Sequence, residues 1–213
     1  MKTKTALILC GAPGSGKGYL GDCIKDELRA RGFNDFLYIS TGDLLRAEIK
    51  EQTELGKEIE QVLNSGNLVS DSIVSGLITK AFNEPQVLKI IDGYPRTEAQ
   101  LQDIIKAKED GYTIISLKRD TDVALIKERV SKRRVCHDCK TTHSVDDGCC
   151  PKCGGLSEIR KDDAVINDRL EAYEANTKPL WNRISRISRA AFVVDGSVEA
   201  KDVAAEFVEV LLQ

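Results

Sequence analysis

The stretch Leu9–Leu20 reads LCGAPGSGKGYL, and the fold follows from how it is read. It closes an apolar run, TALILC, of the kind found in strands buried on both faces. Gly11, Gly16 and Lys17 stand at the spacing of a phosphate-binding loop, G-x-x-x-x-G-K, and a helical pattern follows them. Glycines let successive backbone N–H groups turn towards phosphate oxygens. The helix N-terminus adds positive potential, and Lys17 brings a full charge. The usual next residue is Ser or Thr, whose hydroxyl reaches a magnesium ion, but here Gly18 and then Tyr19 follow. A glycine turn beside a stray lysine is the plainer alternative, and the strand before and helix after the loop argue against it.

Working outward, FLYIS, QVLKIID, YTIISLK and AAFVVD read as four more strands separated by helical stretches. Between Thr41 and Phe82 several amphipathic helices are expected, broken at Leu55–Gly56 and at the NSGN segment. One long helix is expected from Ala164 to Arg189, and a last one from Glu199 to the C-terminus. Five strands alternating with helices give an α/β fold: one parallel sheet covered on both faces, in a single domain. Residues 136–155 break the periodicity and read as an insertion between two helices.

The 213 residues suffice for one well-filled α/β domain with an inserted piece. A net charge of −3 supplies no basic excess for nucleic acid or an anionic membrane surface, so neither is expected as a partner. The basic and apolar start, MKTKTALILC, leads directly into the glycine loop rather than a cleavage site, and a cytoplasmic location is expected. Five of the seven cysteines fall within eighteen residues, which points to metal rather than to a disulfide framework. Chosen as Cys136, Cys139, Cys150 and Cys153, they give C-x2-C-x10-C-x2-C, two knuckles able to close a tetrahedral structural zinc site. Cys149 could replace Cys150 at the cost of a poorer C-x3-C knuckle, and His137 or His143 could replace a thiol.

GAPGSGKG resembles the loop of the adenylate kinase family, and further segments match that family in order over essentially the full length. The resemblance implies a P-loop kinase fold with a core of residues 1–39, 70–131 and 164–213, a monophosphate-binding arm at 40–69 and a lid at 132–163. In that family magnesium is held by phosphate oxygens and by waters that the acid ending the third strand orients. Asp92 stands there, so Gly18 is expected and the hydroxyl is dispensable. Gly14, Ser15, Gly16, Lys17, Gly18 and the backbone of Tyr19 would hold the donor phosphates, with Val198 also on the donor side. Tyr19 departs from the family's usual Thr, and its side chain is expected to turn away or to pack near the nucleotide.

By the same resemblance, ISTGDLLR places Thr41 by the acceptor base and Arg46 on its phosphate. A dianionic phosphate calls for a fork of fixed donors, which arginine supplies. GNLVSD puts Asn67, Leu68 and Val69 beside the acceptor nucleoside. DGYPRTEAQ puts Gly93, Tyr94, Pro95 and Arg96 against the acceptor phosphate and Gln100 against adenine. Arg129 would reach the transferring phosphates and Arg133 the donor nucleotide. Arg160 and Arg169 answer to the family's R-x-D-D…R-L segment, with Asp162 and Asp163 stapling the lid. The two arginines stand nine residues apart, two fewer than in the family's pattern, which turns one by more than half a helical turn unless loop absorbs it. Some bacterial members carry a four-cysteine zinc lid where the insertion falls. Thr142 and His143 lie where that lid covers the donor's adenine and ribose.

The expected activity is ATP + AMP ⇌ 2 ADP with Mg²⁺, carried by Lys17, Arg96, Arg129, Arg133, Arg160 and Arg169 in a monomer. The alternatives are a UMP/CMP-type kinase, another small-molecule P-loop kinase, or a zinc-ribbon protein that only senses nucleotide.

Overall fold

The computed structural model describes residues 3–139, 141–144, 148–159 and 163–212. The core is a five-stranded parallel sheet, ordered β2-β3-β1-β4-β8: β1 (Thr5–Cys10), β2 (Phe36–Ser40), β3 (Leu88–Asp92), β4 (Thr113–Asp120) and β8 (Ala190–Asp195). Central β1 is buried on both faces, which is why its residues are apolar without alternation. Ala6 and Ile8 pack with Ile39, Ile59, Ile78 and Ile104 on one side. Leu7 and Leu9 pack with Ile24, Leu28, Phe207 and Val208 on the other. The latter face is covered by α1 (Lys17–Ala30) and α9 (Ala200–Leu212).

The other face carries α2 (Thr41–Lys50), α3 (Glu54–Asn64), α4 (Asp71–Phe82) and α5 (Glu98–Glu109). Ser40, Thr53 and Thr97 cap α2, α3 and α5 by accepting from backbone N–H groups of the first turn. The helix break expected at Leu55–Gly56 falls instead at 51–53, before the Thr53 cap. Gly56 lies inside α3 because the two helices touch there: a Cβ on Gly56 would stand 2.4 Å from the Glu48 carbonyl oxygen.

After α6 (Val123–Lys132) the chain forms a separate antiparallel sheet, ordered β6-β5-β7, from β5 (Arg134–Cys136), β6 (Thr142–His143) and β7 (Ser157–Ile159). The long helix expected over 164–189 is segmented. It begins with α7 (Ile166–Ala172), widens to a π-helical stretch at Tyr173–Thr177, tightens to 3₁₀ at Lys178–Leu180, and resumes as α8 (Trp181–Ile187). Pro179 lies in the 3₁₀ turn, where its missing N–H interrupts the α-helical ladder.

β1 stands between β3 and β4, so connections leave its carboxyl end in both directions and open a crevice there. The glycine loop, the turn after β3 and the turn after β8 all emerge at that end of the sheet.

Candidate active site

The glycine loop bends through backbone that favours glycine. Gly14 and Gly16 have φ of 80° and 86°, and Gly16 caps α1. A Cβ on Gly14 would lie 2.8 Å from methyls of Ile126 and Val130, so α6 seats the loop from beneath. Lys17 opens α1 and donates from Nζ to the Ala12 carbonyl at 3.4 Å. Burial lowers its pKa to about 8; Asp92 opposes that, while Arg96, Arg169 and Arg133 add to it. Lys17 is thus a cation buried among three guanidiniums and opposed by one carboxylate.

Gly18, where the hydroxyl is missing, faces the acid expected to replace it. A Cβ there would lie 3.4 Å from Asp92 Oδ2. That oxygen accepts from the Tyr38 hydroxyl at 3.1 Å, while Asp92 Oδ1 is buried with no hydrogen-bond partner among the described residues. A fixed carboxylate with one open oxygen beside the loop fits water-mediated magnesium. Tyr19 is 51% exposed, beside Cys23. Its side chain has turned outward.

An open cleft of about 700 Å³ brings distant segments together: Lys17 from the loop, Asn67 and Leu68 from the turn between α3 and α4, Gly93 and Arg96 after β3, and Arg169 from α7. Arg96 is held in place by its own turn, Nε donating to the Gly93 carbonyl at 2.7 Å. Thr41 Oγ1 lies 3.2 and 3.1 Å from the Asp92 and Gly93 carbonyls. Gln100 is buried, accepting from Arg96 N–H at 2.8 Å and donating to Asp71 at 2.7 Å. Tyr94 and Pro95 present themselves to the cleft, but the Tyr94 side chain is buried and its hydroxyl bonds Asp103 and Ser75. Val69 is a core residue. Arg46 pairs with Asp43 at 2.5 Å on an exposed part of α2.

Arg129, in the last turn of α6, and Arg133, just past its end, reach different partners. Arg133 turns towards the cleft, bonding Asp163 through both Nε and Nη2, and it acts electrostatically on Lys17. Asp163 also lies 3.9 Å from Arg169. Arg129 turns to the other side of the loop, donating to Ser15 O at 3.4 Å and Gly196 O at 2.8 Å. The reason is helical geometry: the residue after Lys132 is already extended, so Arg133 leaves the helical face that Arg129 shares. Arg160 and Asp162 lie outside the described residues.

In the second sheet Cys136, Cys139, Cys150 and Cys153 converge, their sulfurs all within 4.8 Å of one another. Cys136–Cys153 and Cys139–Cys150 are each 3.5 Å apart, near the roughly 3.8 Å edge of a tetrahedron with Zn–S of about 2.3 Å. The amides of Asp138 and Lys152 each approach the first sulfur of their knuckle at 3.4 Å, as thiolate ligands require. Hydrogen bonds from Thr141 hold the Cys139 thiol down to about 6. Cys153, although a bond from Gly155 lowers it, is pushed up to about 12 by the neighbouring thiols. The donor set fits a closed zinc site. Cys149 is exposed and outside the set, since its backbone bridges Leu156 and alternation turns Cys150 inward. Nearby, His143 Nε2 bonds Ser157 at 2.8 Å while Nδ1 is buried with no partner among the described residues. Thr142 is exposed.

The family model described as adenylate kinase matches residues 9–188. The chain belongs to the adenylate kinase family. It is 35% identical to a Bacillus pumilus adenylate kinase over 96% of this chain and 97% of that protein. It is 38% identical to one from Treponema denticola over 81% of this chain and 83% of the relative. A third, from Thermosipho melanesiensis, is 32% identical over 96% and 98%. The five-stranded sheet and P-loop are those of an adenylate kinase fold, and the four-thiol cluster is consistent with a zinc-type lid. Among the described residues no helix is long and apolar enough to cross a membrane.

Sequence reasoning missed two residues that bond Asp92 and the glycine loop. Tyr38 orients Asp92, and the alternation of FLYIS hid it as an ordinary strand aromatic. Arg119 is buried at the end of β4, against the loop. The signal was a charge at a strand position where alternation puts the side chain inside.

Proposed function

We propose that this chain catalyses reversible phosphoryl transfer from MgATP to AMP, giving two ADP. The observation that carries the reading is the shared cleft, in which Lys17 of the phosphate loop meets Arg96 and Arg169 beside the arm residues Asn67 and Leu68. A P-loop that only sensed nucleotide would have no need of guanidiniums sharing a cleft with its lysine.

Donor phosphates are assigned to the backbone N–H groups of Gly14 to Tyr19 and to Lys17. The donor nucleoside is assigned to Arg129, Val198 and the lid residues Thr142 and His143. Arg133, freed from Asp163, joins Lys17, Arg96, Arg169 and Arg160 around the moving phosphoryl group. The acceptor is assigned to Thr41, Arg46, Asn67, Leu68, Val69, Gly93, Tyr94, Pro95 and Gln100, whose amide keeps a second N–H for adenine. No general base is required, because holding two nucleotides in line and neutralising charge accounts for catalysis. Magnesium, carried in with ATP and watched over by Asp92 through water, would supply further positive charge at the phosphates. Zinc would be held by Cys136, Cys139, Cys150 and Cys153 and give the lid its shape.

In this reading residues 40–69 and 132–163 are the two moving pieces, closing over the core to exclude water that would otherwise hydrolyse ATP. Both nucleotide places come from one chain, and four thiols kept reduced suit a reducing compartment, so the enzyme is assigned as a cytoplasmic monomer. The test is steady-state ADP formation from ATP with AMP, CMP, UMP or GMP, zinc being determined on the same sample. AMP is expected to exceed the other acceptors in kcat/KM by at least tenfold. Equal use of all four would remove the AMP assignment, and no transfer to any would remove the kinase.

A further inference from the structure

Arg119 has no place in the scheme above, yet it is one of the least accessible charges in the protein, 3% exposed. It is the last residue but one of β4, where Arg119 is in register with Val194 of β8 and β1 runs alongside into the glycine loop. Its guanidinium reaches two loops at once. Nε donates to the Ser15 carbonyl of the glycine loop at 3.2 Å, and Nη2 to the carbonyls of Gly196 at 2.9 Å and Val198 at 2.7 Å, in the turn after β8. Arg129 repeats part of the pattern, spanning Ser15 and Gly196, and Thr121 adds a third bond to Ser15 at 3.1 Å. Among the described residues neither guanidinium lies within salt-bridge distance of a carboxylate.

Burying a guanidinium on carbonyls alone is costly, and a hydrocarbon of similar length would fill the space more cheaply. What an arginine fork adds is geometry: planar donors at fixed angles that set the distance between the two loops. The turn has little freedom of its own, since a Cβ on Gly196 would lie 1.9 Å from Thr121 Oγ1. Val198, whose carbonyl Arg119 holds, stands 46% exposed at the rim.

We infer that Arg119 is a positioning residue for the donor nucleotide, fixing the 196–198 turn against the phosphate loop so that the base and the phosphates of one ATP are seated together. The inference rests on the donor side being where the proposed function puts it. It predicts an asymmetry: loosening this tie affects ATP and the choice of donor base, and leaves AMP alone.

The experiment compares wild type, Arg119→Lys and Arg119→Met in KM for ATP, KM for AMP, kcat, thermal midpoint and calorimetric Kd for MgATP. For Arg119→Met, KM and Kd for ATP are expected to rise about tenfold, the loss of one or two charge-assisted hydrogen bonds. KM for AMP should stay within twofold, and the preference for ATP over GTP as donor should fall several-fold. Arg119→Lys, with an ammonium but no fork, should lie between. A variant that melts within a few degrees of wild type but leaves ATP affinity unchanged, or weakens ATP and AMP equally, overturns the inference. Should Arg119→Met not fold, Arg119→Lys decides by the same ratio. Wild type that binds ATP but does not use AMP contradicts the proposed function alone, and the calorimetric comparison still decides the role of Arg119.

Discussion

The two sheets of this protein are stabilised by different physics. In the five-stranded sheet Ala6, Leu7 and Ile8 are wholly buried, and both faces are sealed by helices. Beside and within the three-stranded sheet Leu156 and Ile159 are 73% and 57% exposed, and the buried residues of that sheet and its knuckles, among those described, are cysteines. The first holds its shape by excluding water from hydrocarbon. The second has too few apolar groups for that and depends on four thiols gathered around one point. The difference suits their tasks. In the proposed reading a phosphate loop keeps its backbone fixed, whereas the lid travels as a unit without being welded to the core by its own hydrophobic surface.

That contrast can be broken most violently at the loop. Lys17→Met should lower kcat by about a thousandfold, as removal of a preorganised charge at the phosphates does, while the melting temperature and zinc content stay at wild-type values. The next largest effect belongs to the thiols. Cys150→Ala should reduce bound zinc from one per chain to a small fraction and lower activity by roughly ten- to a hundredfold, leaving the main thermal transition in place. Cys149→Ala should keep its zinc. Retained metal in Cys150→Ala, or loss in Cys149→Ala, would show that the cluster is drawn around the wrong sulfur.

Core truncation should give the mirror image. Ile8→Ala is expected to cost about 2–5 kcal/mol and to lower the melting temperature by roughly 5–15 °C, with zinc still at one per chain. If instead the cysteine variant and the core variant melted alike, the two sheets would be one cooperative unit and the contrast would be false.

The smallest effect is a pH dependence. With Lys17 near 8 in the empty protein and phosphates favouring its charged form, ATP binding should take up a proton above that pH. KM for ATP should be flat below pH 8 and rise above it by at most about tenfold per unit. Calorimetry in buffers of different ionisation enthalpy would detect the uptake, and a KM that falls above pH 8 would reverse the sign.

How much of this was legible beforehand follows the same division. Strands buried on both faces must be continuous apolar runs, so the five strands and the glycine loop could be read directly from TALILC and its counterparts. Spacing alone favoured four cysteines, and local alternation decided between Cys149 and Cys150. What could not be read was anything set by contact at a distance. Gly56 looks like a helix breaker until Glu48 is seen pressed against it. Arg129 and Arg133 share a helical spacing, but the helix stops between them. Arg119 takes its meaning from carbonyls at 15, 196 and 198, none of them near it in the chain.

The central claim is that two nucleotides lie end to end between Lys17 and the guanidiniums, within one chain. Titration calorimetry with two adenosines joined through five phosphates tests it most directly. The expected result is one molecule bound per chain, tighter than ATP or AMP alone, displaced by both, and weakened at least a hundredfold by Arg96→Met. Two molecules per chain, or binding that AMP does not oppose, would contradict it.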